Sequence, residues 1–327
     1  MKLPLVSVII PVYNAEDYVE QAIQSILSQT YQNLEILIAD DGSSDTSKEI
    51  LESIVDSRIK TFHNIENIGY LKTCNKLFKK ASGDFIAFQD ADDWSDSSRI
   101  ETTMNFFLKN ESISMCGCNF VRNTENGKVI SLSNYPVDDI DIRKYIVTNK
   151  NLPFCGASVI LKKCVLETIG GYKLFFDNIG YEHFDWFLRI SEQFKIANIS
   201  NKLYYYRYLE NSFSRSNKLN DYKKYYARDI AFFLRDQRLI HGLDGLDDKA
   251  LKIDFSNYLA DLKNKFLTNR FEVYNTVVKN FLSNGSFIIS IKLIYSGWVN
   301  KEINLINVLY FYYRVLRSGL KTLIRVK

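Results

Sequence analysis

The chain has 327 residues, 46% hydrophobic and 24% charged, with only four Pro, so it can bury a substantial core and does not read as disordered. A formal net charge of +4 is too weak to argue for a nucleic-acid partner. The length exceeds one typical domain, which points to one large domain with an appendage.

The cysteines Cys74, Cys116, Cys118, Cys155 and Cys164 are odd in number and contain no C-x-x-C pair, so neither a disulfide framework nor a zinc site is indicated. Cys116 and Cys118 alternate within the apolar stretch Ile113 to Val121 and are expected as small core residues. Reduced thiols fit a cytoplasmic location. The apolar run Leu5 to Val12 is interrupted by Pro11 and followed by Asn14, Glu16 and Asp17, unlike a secretory signal. No segment reaches the ~18 uninterrupted apolar residues of a membrane span.

Short runs rich in Val, Ile and Phe predict strands at Val6–Val12, Leu34–Asp40, Arg58–Phe62 and Asp84–Gln89. Segments with helical spacing lie between them. In Ala15–Gln29, either Tyr18, Ala22, Ile26 and Gln29 or Val19, Ile23, Ile26 and Leu27 share one side, and Thr46 with Glu49 has capping-box spacing ahead of Ile50, Leu51 and Ile54. Such alternation makes a mostly parallel α/β sheet flanked by helices. Further on, Ile113–Val121 and Val129–Leu132 read as strands joined by a turn over Asn123–Lys128. Ala157–Leu161 reads as a strand, followed by a short helix and the Gly170-Gly171 break. Glu182–Gln193 reads as a helix, and Ile196–Ile199 and Tyr204–Tyr208 as extended. Helices follow at Tyr222–Arg238, Lys249–Leu267, Glu272–Leu282 and Asn304–Ile324. The boundary falls near Asn217, giving a larger α/β domain over 1–217 and a helical region over 218–327.

Open parallel sheets bind ligands beyond the carboxyl ends of their strands. Pro11-Val12-Tyr13-Asn14 lies at the first exit, Asp40-Asp41-Gly42-Ser43-Ser44-Asp45 at the second, and Asp90-Ala91-Asp92-Asp93-Trp94 at the fourth; Asn67-Ile68-Gly69 precedes the third helix. Crowded carboxylates repel unless a cation or a donor-rich ligand sits among them. One or two carboxylates plus substrate phosphate oxygens are the usual Mg²⁺ or Mn²⁺ arrangement. The bland reading is also available: Ser43, Ser44 or Asp45 could do no more than cap a helix. No GxxxxGK[ST] or GxGxxG motif is present, which argues against ATPase and dinucleotide readings.

At these residues the sequence resembles the family 2 glycosyltransferases, inverting enzymes with a GT-A fold. The resemblance runs from Val6–Asn14 through Ser25–Tyr31, Asp40–Asp45, Asn67–Gly69 and Gly83–Trp94 to Gly170-Gly171-Tyr172 and Tyr206-Arg207 with Ser212 and Ser214. It implies a nucleotide-sugar donor, with UDP the expected nucleotide, and a metal ion, Mn²⁺ or Mg²⁺. Pro11, Tyr13 and Asp41 should border the base, Asp41 accepting from its imide, with Asn14 and Asn67 nearby. Asp90 and Ala91 should lie along ribose and diphosphate. Asp92 matches the last Asp of the DxD motif and is the first choice as metal ligand, with Asp90 beside it. Asp93 is a supporting partner or a helix cap.

The family's base is usually the Asp of a Glu-Asp pair after the Gly-Gly break, but here Tyr181-Glu182-His183-Phe184-Asp185-Trp186 places His183 there. With an unperturbed pKa of ~6.5, His183 suits a base. Glu182 as base and Asp185 as base or as the group orienting His183 stay open. Arg207 is expected either on the diphosphate or stacked among the neighbouring tyrosines. Trp94, Trp186 and Phe154 are candidates for sugar stacking, against the more common reading of core packing.

In the last helix Arg314, Arg317, Lys321 and Arg325 are spaced as one basic stripe beside an apolar ridge of Leu305, Leu309, Tyr312, Leu316, Leu320 and Leu323. That pattern fits either an anionic membrane surface or a helix packed on the rest of the protein. The expected function is therefore a hexosyl- or N-acetylhexosaminyltransferase of bacterial surface-polysaccharide synthesis (capsule, lipopolysaccharide or O-antigen). Its acceptor would be a glycan or polyprenyl-linked sugar, and its place the cytoplasm, with peripheral contact at the inner face of the membrane. The alternatives are a non-catalytic sugar-nucleotide-binding relative and a nucleotidyltransferase.

Overall fold

The computed structural model describes residues 3–209, 219–283 and 287–325, without the side chains of 283, 287 and 317–325. The expected landmarks Ser212 and Ser214 lie outside the described residues. The chain divides into two compact units, Met1–Arg215 and Ser216–Lys327.

The first unit opens with β1 (Val6–Val12), α1 (Val19–Leu27), β2 (Leu34–Asp40), α2 (Ser47–Ser53), β3 (Ile59–His63), α3 (Tyr70–Lys80) and β4 (Phe85–Phe88). Every residue of β1 and β2 is buried. A strand covered on both faces needs apolar side chains in both directions, which is why these strands read as continuous rather than alternating runs. They pair in parallel in the order β3-β2-β1-β4, with Val6 opposite Leu34 and Phe85. The expected capping box at Thr46 does not form. The Thr46 backbone N–H and hydroxyl both donate to Glu16 Oε2, at 2.9 and 2.6 Å, while Asp45 accepts from the Ser47 N–H.

Beyond β4 come β5 (Trp94–Ser95), α4 (Arg99–Lys109), β6 (Ile113–Thr124), β7 (Val129–Leu132), α5 (Asp139–Asn149), β8 (Ile160–Lys162), α6 (Lys163–Ile169), α7 (Glu182–Gln193) and β9 (Lys195–Tyr208). The sheet continues β4-β8-β6-β9-β5, with β8 antiparallel to both neighbours and β6 parallel to β9. The two extended segments expected at 196–208 are one strand, whose register against β6 shifts around Asn119. The strand expected over Ala157–Leu161 begins late, because Gly156–Ser158 forms a 3-10 turn in which Ser158 bonds back to Cys155.

The second unit holds α8 (Tyr222–Tyr225), α9 (Ala227–His241), α10 (Leu251–Thr268), α11 (Arg270–Ser283), α12 (Phe287–Val299) and α13 (Leu305–Arg325). Its core gathers Phe266, Val273, Tyr274, Val277, Ile294 and Phe311, among others.

Candidate active site

The carboxyl end of β4 runs straight into the turn that carries Asp90, Asp92 and Asp93. Each offers a ligand oxygen, and these lie within 4.8 Å of one another. The turn is bolted from behind. Gln89 Nε2 donates to the Asp90 carbonyl at 3.0 Å, and Gln89 Oε1 accepts from Ser95 Oγ at 2.6 Å. Asp93 Oδ1 accepts from the Arg207 backbone N–H at 2.7 Å, while its buried Oδ2 has no partner among the described residues. Ala91 is buried between these acids.

Burial, joined by the charge of Asp92, raises the pKa of Asp90 to about 6, against a lowering by His183. Asp93 is pushed well above the usual carboxylate range by burial and by Asp92 and Asp90. Three carboxylates this close, one with a buried oxygen that no described residue bonds, fit a hard divalent cation better than they fit one another.

The exits of β1 and β2 are stitched together. The Asn14 N–H donates to Ser43 Oγ at 3.0 Å, and Asn14 Oδ1 accepts from the Ser44 N–H at 2.8 Å. Asn14 sits at φ 45°. Gly42, at φ +71°, passes so close to the next loop that a Cβ would lie 2.6 Å from the Glu66 carbonyl carbon. Only glycine satisfies both conditions. Pro11 is buried within β1, whereas Tyr13 is 49% exposed. Asp41 is buried and accepts from Asn64 Nδ2 (2.7 Å), the Ile68 N–H (3.0 Å) and the Gly69 N–H (2.9 Å). It thus shapes the loop that carries exposed Asn67, whose Oδ1 also receives the Gly69 N–H. Asp41 and Asp90 bracket the start of α3: Asp41 holds Gly69, and the Tyr70 hydroxyl donates to Asp90 Oδ1 at 3.4 Å.

His183 closes the far side. Its ring packs against Tyr70 (centroids 5.9 Å apart), Tyr172 (5.2 Å) and Phe187 (6.0 Å). A Cβ at Gly156 would lie 2.6 Å from the ring's Cδ2, so glycine there makes room for the imidazole. Glu182 Oε1 lies 3.2 Å from Nδ1, and Nε2 has no hydrogen-bond partner among the described residues. Burial opposes protonation of the ring, but the Glu182 hydrogen bond and the charges of Glu182 and Asp90 outweigh it and raise the His183 pKa.

The family model for glycosyl transferase family 2 matches residues 7–170, half of the chain. The chain belongs to that family. An uncharacterized glycosyltransferase of Haemophilus influenzae is 34% identical over 60% of this chain and 75% of its own length. The Escherichia coli UDP-Glc:alpha-D-GlcNAc-diphosphoundecaprenol beta-1,3-glucosyltransferase WfgD is 37% identical over 50% of this chain and 62% of its own. The crystal structure of S. aureus TarS 1-349 in complex with UDP-GlcNAc aligns with a TM-score of 0.57 at 20% identity, covering 88% of each chain. The fold is therefore of the GT-A type, and the chain is a glycosyltransferase.

Within this glycosyltransferase, two site residues sit differently from expectation. Arg207 does not present its guanidinium for a diphosphate. Nε donates to the Asp92 carbonyl at 2.8 Å, Nη1 to the Glu125 carbonyl at 2.7 Å and Nη2 to Gln21, with the Tyr18 and Trp94 rings 4.7 and 4.8 Å away. It faces inward, but the rings it stacks on are Tyr18 and Trp94 rather than the neighbouring tyrosines. Asp185 is buried in an ion pair with Arg189 at 3.0 Å, and Arg189 also donates to the Ile169 and Gly171 carbonyls, so Asp185 fixes the Gly-Gly break. Glu182, not Asp185, meets the His183 ring.

Asp93 caps no helix; the turn into α4 is made by Asp96, which accepts from Ser98. Trp94 lies flat on Tyr205, Trp186 donates to the Gly170 carbonyl from the core, and Phe154 packs edge-on against Phe187. Trp186 and Phe154 are buried packing residues, while Trp94 is half-buried. Three participants went unread in the sequence. Tyr70 directly follows the Asn67-Ile68-Gly69 motif and could have been found by that position. Gly156 and the fully buried Arg99, which donates to the Ser158 and Phe88 carbonyls at 3.3 and 3.0 Å, carry no local signal.

Proposed function

We propose that this enzyme transfers, with inversion, a hexosyl or N-acetylhexosaminyl group from a UDP-linked donor to a hydroxyl of a glycan or polyprenyl-linked acceptor. It would act at the inner face of a bacterial membrane, in surface-polysaccharide synthesis. The observation that carries the reading is the Asp90–Asp92–Asp93 cluster, with His183 close enough to Asp90 for each to shift the other's proton affinity. The WfgD name and the TarS complex support the donor and acceptor classes.

Asp92 and Asp90 would hold Mn²⁺ or Mg²⁺, with Asp93 behind them. The bound ion supplies positive charge that stabilises the departing diphosphate. Exposed Tyr13 and buried Pro11 form the wall for the base, joined by Asn14 and Asn67. Asp41 has three of its roughly four acceptor sites filled from the loop, which leaves one for the imide. Ala91 lets the backbone approach ribose and diphosphate.

His183 is the base, and Glu182 positions it. With Nδ1–H donating to Glu182, the lone pair sits on Nε2, the ring atom without a partner among the described residues. The acceptor oxygen bonds to the anomeric carbon as the bond from that carbon to the diphosphate oxygen breaks. The electron pair leaves on the diphosphate, and the hydroxyl proton passes to Nε2. A panel of sugar nucleotides assayed for binding and for metal-dependent donor hydrolysis tests this. A UDP-sugar should bind and turn over. Binding without turnover in wild type and His183→Ala alike would favour a non-catalytic relative, and no nucleotide-sugar binding would overturn the reading.

A further inference from the structure

We infer that the outward face of α12 and α13 docks on an anionic lipid bilayer. Helix α12 presents Ile288, Ile291, Tyr295 and Trp298, at intervals of three, four and three residues and between 38% and 71% exposed. Helix α13 presents Leu305, Leu309, Tyr312 and Leu316, at intervals of four, three and four and between 38% and 67% exposed. These are not the core-facing stripes: Ile294 on α12 and Val308, Phe311 and Val315 on α13 are the residues that fill the unit's own core. Two helices of one bundle thus each keep a second apolar stripe in solvent. So much exposed apolar surface marks a partner.

Charge decides which partner. The described charged side chains on α12, α13 and the turn between them are Lys292, Lys301, Glu302 and Arg314, the last donating to Asn275 Oδ1 on α11. Glu302, the one acid, is held by Arg270 at 2.8 Å and receives the Tyr274 hydroxyl. The sequence continues with Arg317, Lys321, Arg325 and Lys327 and no further acid. Exposed Lys292 and Lys301 flank the apolar stripes, in a stretch of sequence this basic, so a second copy would be repelled, whereas an anionic leaflet is attracted. Trp and Tyr beside Leu and Ile suit the headgroup boundary. No helix among the described residues is long and apolar enough to cross a membrane, so the face lies on the bilayer rather than through it.

This inference deepens the proposed action at the membrane, yet its test needs no donor, so it can fail or stand apart from the transfer chemistry. The full chain is floated with vesicles of phosphatidylglycerol and phosphatidylethanolamine, and separately with phosphatidylcholine alone. Leu309→Glu and Trp298→Glu are compared with wild type, with melting temperature and gel filtration read in parallel. Wild type should float with the anionic vesicles. Its bound fraction should fall about tenfold on phosphatidylcholine and in each variant, with melting unchanged. No flotation on anionic vesicles, equal flotation on both lipids, or indifference to both substitutions would overturn the inference. So would a dimer that the substitutions split in the absence of vesicle binding, which would make the face a contact between copies.

Discussion

His183 takes the place that the family resemblance reserves for an aspartate, and its protonation works in the opposite electrical sense. A carboxylate base is charged when competent, whereas imidazole is competent when neutral. Glu182 and Asp90 raise the His183 pKa above its ordinary ~6.5. The acid limb of the pH–rate profile should therefore sit above that ordinary value, with rate rising as pH climbs through it. Glu182→Gln should move the limb to lower pH, because it removes a charge that stabilises the imidazolium. His183→Gln should lower kcat about a hundredfold or more with donor affinity little changed. Stopped assays across pH, with donor binding measured in parallel, check all three outcomes.

The acidic turn was legible at this scale because charge at the end of a buried strand has few innocent explanations. Arg207 was not. Its immediate neighbours are tyrosines, but the groups that fix its orientation are Gln21 and Glu125, 186 and 82 positions away.

At the scale of elements, one fastening holds the sheet and a second holds the site. At the amino ends of the central strands, Glu35 on β2 accepts from Ser7 on β1, from Ser82 and Gly83 ahead of β4, and from Lys60 on β3. Burial alone would raise the Glu35 pKa, but these donors overcome it and bring it to about 2. A depressed carboxylate pKa stabilises the fold fully above the ordinary value near 4.5, and the contribution is lost as pH falls through about 2. Glu35→Ala should destabilise the protein by about 1–3 kcal/mol at neutral pH, because the buried Ser7 hydroxyl and Gly83 N–H lose this acceptor. In urea titrations that difference should shrink as pH is lowered toward 2.

The second fastening is Arg207 on β9, which ties the β4 turn to Glu125 and α1. Arg207→Lys keeps the charge but loses the planar fork. Mn²⁺ affinity should drop about tenfold to a hundredfold, as for other residues that orient metal ligands. Calorimetric titration of the metal reads it directly, with melting temperature as the check on folding.

Element legibility followed burial. Strands β1 and β2 were read to the residue because both faces are covered. Helix α12 was missed: Phe287–Val299 is apolar nearly all round, with a stripe inside and a stripe outside, so no period stands out. The single helix expected over Tyr222–Arg238 breaks at Tyr226, where α8 ends and α9 begins.

For the whole molecule, the family match ends at residue 170, within the first compact unit, while the second unit carries the exposed aromatic and aliphatic face of α12 and α13. Chemistry and docking thus belong to separate stretches of chain, and each can be damaged alone. The proposed chemistry has the acids of the β4 turn grip a divalent ion and, through it, a nucleotide diphosphate. Calorimetric titration of a UDP-sugar into wild type and Asp92→Asn, each with and without Mn²⁺, tests that claim most directly. Wild type should bind at least about tenfold more tightly with Mn²⁺, and Asp92→Asn should lose that gain while folding normally. Equal donor affinity with and without the metal in wild type, or a full metal effect surviving in Asp92→Asn, would contradict it.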